Sequence, residues 1–375
     1  MTETRLFPGA DAAREYMERT FRHYADPASV APLKGDAAHE VAVGPVHAGV
    51  IEPGHFRFQC MGEDVYNLQI FLGYQRRGVE ERIVAADGNV ARQVALAETC
   101  AGDTSVAAAT CISEILERRN GSAPGAAALA VRSLLLELER VANHVGDLGA
   151  LAGDVAFLPT ASFCGRIRGE YLNMTALLCG NRFGRNAVIP GGARVTLDAA
   201  KRDELARRIR DAKRDLDGAL GLMFEEPTVL ERLEHTGTVP RDVAERIGLV
   251  GVARRASVEL NGDVLSRAQV RRMEIEEAHG RIAALLAGEA PERTQAAEPS
   301  GEGPFSVVAS TVAAWRGPLV HAALFDDARK MVAYRIIDPS ARNWPGLAWA
   351  LRGEQISNFP ICNKSFNLSY CGTDR

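Results

Sequence analysis

The sequence predicts an α+β fold that is mostly helical. Residues 128–154 form one long run in which apolar residues recur at the three- and four-residue spacing of a buried helix face. Residues 40–84 and 305–337 instead contain short stretches with the alternation of β-strands. The chain is also rich in alanine and only 6% aromatic, which favours closely packed helices. We therefore expect a central helical bundle with small β-sheets at its periphery.

The composition is typical of a soluble globular protein with a sizeable core: 46% of the 375 residues are hydrophobic and 25% are charged. The formal net charge of -4, without a basic patch, argues against a nucleic-acid partner. No apolar run reaches the roughly 18 residues of a membrane-spanning helix, and no secretory signal is visible at the N-terminus. The seven cysteines are odd in number and scattered, which favours reduced thiols over a disulfide framework.

Two elements are predicted before the helical region. Residues 10–24 have the spacing of a short amphipathic helix, and a linker interrupted by Pro and Gly completes an N-terminal segment, residues 1–39. The next segment, residues 40–84, alternates polar and apolar side chains on both sides of a turn, which predicts a hairpin. A loop rich in Gly and Pro leads into this hairpin and carries Glu52 and His55.

The helical core is predicted to span residues 85–288, where helix-like patterns follow one another. Asp103 or Thr104 is expected to cap a helix early in this core, because both residue types accept hydrogen bonds from free backbone N–H groups. Ser266 and Gln269 indicate a capping box for its last helix.

The C-terminal part is predicted to contain a loop and a second β region. Residues 289–304 are polar and rich in Pro and Gly, which predicts a mobile loop. The final segment, residues 305–375, is expected to hold a hairpin region, a last helix over residues 343–355, and an irregular tail that closes the site.

A polar stripe follows the longest predicted helix. Glu137, Arg140, His144 and Asp147 are three, four and three residues apart, which places them on one side of that helix. Both flanks of the stripe are apolar, so we expect it to face the protein interior, where titratable groups need partners. Two interpretations remain open. The stripe is either a salt-bridge network that orients neighbouring helices or one wall of a site that handles protons or electrons.

Six separated motifs occur in a fixed order between about residue 40 and the end of the chain. They are GPVHAGVIEPGHFRF, GYQRRGVEE, ETCAGDTSVA, LLLELERVANHVGDLGALAGD, NRFGRNAVIPGG and CGTDR. This succession resembles the large subunit of nickel–iron hydrogenases. It is most similar to the branch with energy-converting membrane hydrogenases, formate hydrogenlyase and the corresponding subunit of respiratory complex I (NADH–quinone oxidoreductase). The resemblance implies a helical bundle like that of the hydrogenase large subunit.

The cysteines distinguish the chain from true hydrogenases, in which two Cys-x-x-Cys motifs supply four thiolates to a nickel–iron centre. Here the early motif reads Cys100 to Asp103, and the C-terminal motif reads Leu368 to Cys371. One thiolate therefore remains from each half. The resemblance implies that Cys100 and Cys371 are what is left of a metal site, and a complete nickel–iron centre is not expected.

In the complex I relatives, the emptied metal cavity binds a quinone headgroup between a histidine and a tyrosine, and an aspartate orients the histidine. His55 matches the histidine and Asp147 the aspartate, whereas residues 106–113 contain no tyrosine. A histidine held by a carboxylate is suited to donate a proton to a reduced quinone oxygen. Glu52 matches a glutamate that passes protons in hydrogenases, a role that requires a pKa raised by burial.

The resemblance implies the large subunit of a membrane-associated oxidoreductase complex, peripheral on the cytoplasmic face of the cell membrane. Its partners would be an iron–sulfur small subunit and further soluble and membrane subunits, and NAD binding is among the activities of such complexes. Electrons would come from NADH, ferredoxin or formate through the small subunit and reach a site near His55, Asp147, Cys100 and Cys371, where the redox step would be coupled to quinone chemistry or ion pumping. Three hypotheses follow: a quinone-linked subunit without nickel and iron, a divergent nickel–iron hydrogenase, or a non-catalytic scaffold.

Overall fold

The structure, a computed structural model, describes residues 1–48, 50–291 and 298–375. It confirms the prediction of a mostly helical α+β fold. The α-helices in these ranges are α1 (Ala10–Thr20), α2 (Val79–Ala85), α3 (Val90–Glu98), α4 (Ser105–Asn120), α5 (Ala126–Asp154), α6 (Leu158–Cys179), α7 (Ala199–Glu225), α8 (Pro227–Leu233), α9 (Arg241–Ile247), α10 (Gly251–Glu259), α11 (Val264–Ala287), α12 (Ser340–Ala350), α13 (Phe359–Phe366) and α14 (Tyr370–Asp374). None of these helices is long and apolar enough to cross a membrane.

The strands of the described ranges form three small sheets. They are β1 (Thr2–Phe7), β2 (Ala38–Val43), β3 (His55–Met61), β4 (Asp64–Phe71), β5 (Val188–Ile189), β6 (Gly192–Ala193), β7 (Ser300–Gly301), β8 (Phe305–Ala314), β9 (Gly317–Phe325) and β10 (Met331–Ile337). One sheet has the order β10-β9-β8-β1-β7, the second has β2-β3-β4, and β5 pairs with β6. The predicted hairpins are β3–β4 and β8–β9, and both are antiparallel.

The sequence analysis missed β1 and β2, and also the two-residue strands β5, β6 and β7. β1 lies in the segment that was predicted to hold only a helix and a linker, and it pairs antiparallel with β8. β2 pairs antiparallel with β3 and widens the predicted hairpin to three strands. Because the partner of β1 lies at the other end of the chain, its six residues carry little local signal for a strand. The N-terminal segment is therefore built into the C-terminal sheet.

Helix α5 is the centre of the helical bundle. It packs against α6 and α11, and also against α4 and α13. Gly149 of α5 permits the close approach of α6, because a Cβ at that position would lie 2.7 Å from the Cβ of Cys164. The four residues of the predicted polar stripe are all buried, with at most 8% of each residue exposed. The prediction that the stripe faces the protein interior is confirmed.

The N-terminus of α4 is capped by a residue of another helix. Thr104 is the residue before the helix, but its side chain makes no capping hydrogen bond. Instead, the carboxylate of Glu139 on α5 accepts hydrogen bonds from the backbone N–H groups of Val106 at 2.7 Å and Ala107 at 3.3 Å. Thr104 is therefore the residue before α4 as predicted, but a carboxylate from the neighbouring helix, rather than its own side chain, binds the free N–H groups.

Helix α11 begins differently from the prediction as well. Its cap is Asp263, whose carboxylate accepts a hydrogen bond from the backbone N–H of Ser266 at 2.7 Å. The helix therefore starts before the predicted box of Ser266 and Gln269, in line with the strong preference for aspartate at this position.

The C-terminal tail is regular and buried, whereas the sequence predicted an irregular segment. It forms α13 and α14, and Tyr370 is fully buried against the ring of Trp344. The predicted last helix is α12, which begins three residues earlier than expected. Of the predicted mobile loop, residues 292–297 lie outside the described residues, and β7 pairs in parallel with β1.

Candidate functional site

Cys100 and Cys371 come from distant parts of the chain and lie near each other. Cys100 is buried in the turn between α3 and α4, and Cys371 lies in the first turn of α14. Burial raises the pKa of Cys100, and the charges of Asp338 and Cys371 raise it further. Burial and the charge of Glu52 raise the pKa of Cys371 to about 11. We therefore expect both sulfurs to be protonated thiols at neutral pH.

The loop before β3 brings Glu52 to Cys371. One carboxylate oxygen of Glu52 accepts hydrogen bonds from the backbone N–H of Cys371 at 3.0 Å and from the side-chain amide of Gln75 at 2.9 Å. The other oxygen lies 3.8 Å from the Cys371 thiol, which also lies 3.5 Å from the hydroxyl of Ser369. The structure therefore brings together two of the predicted site residues, Glu52 and Cys371.

Asp103 replaces the second cysteine of the early motif and forms an ion pair with Arg316. The two guanidinium nitrogens of Arg316 lie 3.0 and 2.7 Å from the two carboxylate oxygens of Asp103. Burial favours the neutral acid, but the charge and hydrogen bonds of Arg316 hold the pKa of Asp103 below its usual range. This carboxylate is therefore ionised, and a cation is already bound to it.

The second missing cysteine is replaced by an apolar side chain. Leu368 is buried and offers no donor atom to a ligand. The next residue, Ser369, fixes the local backbone, because its hydroxyl accepts a hydrogen bond from the N–H of Gly372 at 2.9 Å. Its own N–H donates to the hydroxyl of Ser340 at 2.8 Å. These contacts hold the start of α14, and with it Cys371, at the site.

His55 and Asp147 have separate partners in the described part of the chain, and no contact there joins them. One ring nitrogen of His55 lies 3.4 Å from the carbonyl of Gly44. The Asp147 carboxylate instead accepts a hydrogen bond from Arg271 of α11 at 2.8 Å, and a second one from the Asn367 amide. The expectation that Asp147 orients His55 therefore needs correction. The physical reason is that Arg271 is almost fully buried and requires a counterion.

The other members of the polar stripe form a network between α5 and α11. Glu274 of α11 lies 2.8 Å from His144 and 3.5 Å from Arg140, which is also paired with Glu137 at 3.2 Å. Burial lowers the pKa of His144. Burial alone would raise the pKa of Glu274, but the hydrogen bond from His144 helps to lower this pKa to about 2. These three stripe residues form the orienting salt-bridge network, whereas Asp147 pairs with Arg271 and Asn367.

A cleft of about 430 Å³ opens beside this region between α5, α6 and α13. Asp103 and Asp147 lie on its lining, together with Asn143 and Asn367. A larger cleft of about 630 Å³ is lined by none of the predicted site residues. We therefore take the smaller cleft as the opening that belongs to the site.

Known proteins share this chain's sequence pattern and its fold. The family "Respiratory-chain NADH dehydrogenase, 49 Kd subunit" matches residues 154–259. The chain is 27% identical over 349 residues to hydrogenase-4 component G of Escherichia coli K12, an alignment that covers 90% of this chain and 62% of that protein. It is 26% identical to formate hydrogenlyase subunit 5 of the same organism, over 91% of this chain and 64% of that protein.

The chain is therefore similar to hydrogenase subunits over most of its length and to the respiratory-chain 49 kDa subunit over residues 154–259. Both E. coli relatives are longer, and the chain spans a little under two thirds of their length. A solved structure of the membrane-bound sulfane sulfur reductase, an archaeal respiratory membrane complex, shares the fold. Its TM-score is 0.80 at 20% identity, and the match covers 92% of this chain and 100% of that chain.

Several residues of the candidate site were missed by the sequence analysis. They are Arg316, Arg271, Asn367 and Asp338. Asp338 lies against the backbone of α14, because a Cβ at Gly372 would come within 2.6 Å of its carboxylate. The only local signal for Arg316 is a charged residue at the tip of an otherwise apolar hairpin. Arg271 could have been suspected because it lies among the core-facing residues of α11.

Proposed function

We propose that this chain is the large subunit of a membrane-associated oxidoreductase complex that passes electrons from an iron–sulfur partner subunit toward quinone. It is peripheral on the cytoplasmic face, beside membrane and other soluble subunits, and the first donor is NADH, ferredoxin or formate. Similarity to subunits of hydrogenases and complex I supports membership in such an assembly. We also propose that no complete nickel–iron centre takes part in this electron transfer.

The Asp103–Arg316 ion pair is the observation that carries this proposal. A nickel–iron centre needs soft thiolate ligands. Of the four positions that supply them in hydrogenases, two hold cysteines here, one is a leucine, and one is a carboxylate already bound to a guanidinium. In the described ranges, no three His, Cys, Asp or Glu side chains are grouped so that they could hold a metal. These residues do not fit the centre, and no step of the proposed reaction passes through it.

Charge and proton handling at the site are suited to an organic acceptor. A quinone takes up two electrons and two protons to become a quinol, and negative charge builds up on its oxygens during the reaction. Arg316 places a fixed positive charge beside Asp103 and acts electrostatically on Cys371, so it stabilises such charge. We assign the two protons to Glu52, which contacts Cys371, and to His55, which begins β3 three residues later.

The test uses the purified complex that contains this chain. We expect nickel far below one atom per chain, together with reduction of a soluble quinone by the complex. The His55→Gln variant should slow this reduction by about a hundredfold without changing assembly, because a positioned general acid is worth that much. A matched control is His39→Gln, on the exposed edge of the same sheet.

Two outcomes would reject the proposal in different ways. Nickel and iron at about one atom each would identify a divergent hydrogenase. A His55→Gln complex that reduces quinone as fast as the wild type would indicate a scaffold in which this loop takes no part in the reaction.

A further inference from the structure

Arg168 of α6 lies across Gly146 of α5 at the edge of the 430 Å³ cleft. A Cβ at position 146 would come within 2.8 Å of its Cδ and 2.9 Å of its Nε. The absence of a side chain at Gly146 therefore lets the arginine cross the helix and reach the cleft. In the part of the chain that the structure describes, no hydrogen bond, ion pair or aromatic ring engages this guanidinium.

The neighbouring arginine on α6 shows that Arg168 is unusual. Arg166 is exposed and is paired with Asp215 at 2.6 Å. Arg168 is half-buried, which costs hydration, and gains no ion pair in return among the described residues. A guanidinium with five donors held in this way is suited to bind a planar or tetrahedral oxyanion.

The charge balance of the cleft also favours an anion. Its two carboxylates are each neutralised, Asp103 by Arg316 and Asp147 by Arg271. The remaining charged residues of the lining are the cations Arg168 and Lys364. Lys364 makes no hydrogen bond in the described ranges, and its charge acts on Asp154 at the end of α5. The lining holds two carboxylates and two cations, and because Arg316 and Arg271 already neutralise the carboxylates, the charges of Arg168 and Lys364 are left in excess.

We propose that this cleft binds a small oxyanion from solution, with Arg168 as the main ligand and Lys364 as the second cation. The volume of about 430 Å³ admits a tetrahedral oxyanion together with several water molecules. Because binding itself needs neither quinone nor electron transfer, this inference does not depend on the proposed redox function.

The test measures binding of inorganic phosphate to the purified full chain by calorimetry at constant ionic strength. Arg168→Met keeps the stem over Gly146 and removes the charge, so phosphate should bind at least about tenfold more weakly. Gly146→Ala keeps the charge but displaces the guanidinium, and it should also weaken binding. Because alanine favours the helix, this second variant is expected to stay folded.

Two matched variants serve as controls. Gly165→Ala adds the same methyl group to the same cleft, where a Cβ would meet no atom within 4 Å. Arg166→Met removes one charge from the same helix outside the cleft lining. Both should bind phosphate like the wild type. Equal binding by wild type and Arg168→Met, or no binding by the wild type, would overturn the proposal. Binding that disappears in the assembled complex would also overturn it, because a neighbouring subunit would then occupy the cleft.

Discussion

Arg316 binds both carboxylate oxygens of Asp103, at 3.0 and 2.7 Å, at the position where hydrogenases have a cysteine ligand. The same guanidinium lies 3.9 Å from the centre of the Trp315 ring and donates a hydrogen bond to the carbonyl of Asn367 at 2.7 Å. It thereby ties three distant parts of the chain to one point: the turn before α4, the β8–β9 turn and the C-terminal tail.

Arg316→Met tests how much this ion pair contributes to stability. We expect the free energy of unfolding to fall by about 2 kcal/mol, because Asp103 would remain charged without its partner. The expected loss in the free energy of unfolding is smaller than for a fully buried ion pair, because 34% of the Asp103 side chain is exposed. Urea unfolding at neutral pH measures it. In the double variant with Asp103→Asn, part of the loss should be recovered. Equal stability of wild type and Arg316→Met would mean that the pair is only a surface contact.

The sequence predicted the elements whose signals are local. The apolar spacing in α5 predicted a buried helix, and the stripe that includes His144 and Asp147 is buried as expected. Alternation at residues 55–60 predicted β3, and the order of motifs predicted which proteins the chain is similar to. In each of these cases the evidence lay within a few turns or within the succession of motifs itself.

The pairs that define the site could not be predicted, because their members are far apart in the sequence. Nothing local to Asp103 indicates that it will meet Arg316, and the pairing of Asp147 with Arg271 depends on how α11 packs on α5. The expected partner of Asp147, His55, came from the resemblance alone. A buried guanidinium on a neighbouring helix competes better for a carboxylate than a half-exposed imidazole does.

Gly149→Ala tests the close packing of α5 on α6. The added Cβ would lie 2.7 Å from the Cβ of buried Cys164, so the helices must move apart, and we expect a loss of about 1–3 kcal/mol in the free energy of unfolding. Gly153→Ala, one turn later, is the matched control, because its Cβ would make an ordinary contact of 3.9 Å with Ala161. The control should be neutral or stabilising by up to about 1 kcal/mol. Denaturant unfolding measures the free energy of unfolding of both variants. Similar changes in stability in both variants would show that the short distance to Cys164 does not determine how α5 packs on α6.

His321→Asn tests a pH dependence that arises in the C-terminal sheet. His321 is fully buried, with one ring nitrogen 2.7 Å from the hydroxyl of Tyr334, and burial lowers its pKa to about 3. The unfolded chain binds a proton at this residue near pH 6.5, whereas the folded chain does not. Stability is therefore lost as the pH falls below about 6.5, and His321 should account for about 2 kcal/mol between pH 7.5 and pH 5.

In His321→Asn, the free energy of unfolding should differ between pH 7.5 and pH 5 by about 2 kcal/mol less than in the wild type, whatever the effect of the variant at pH 7.5. Urea unfolding at both values measures it. His39→Asn, on the exposed strand β2, should leave the difference unchanged. An unchanged difference in His321→Asn would mean that other groups cause the pH dependence.

A double-mutant cycle decides which residue holds Asp147. Arg271 donates to its carboxylate at 2.8 Å, and both side chains are buried, so Asp147→Asn should lower the free energy of unfolding by about 3–5 kcal/mol. The cycle with Arg271→Met should give a coupling energy above about 1 kcal/mol, whereas the cycle with His55→Gln should give about zero, because residues without a shared contact act additively. The measurement is urea unfolding of the five variants. A coupling between His55 and Asp147 as large as that between Arg271 and Asp147 would show that the carboxylate orients the histidine after all.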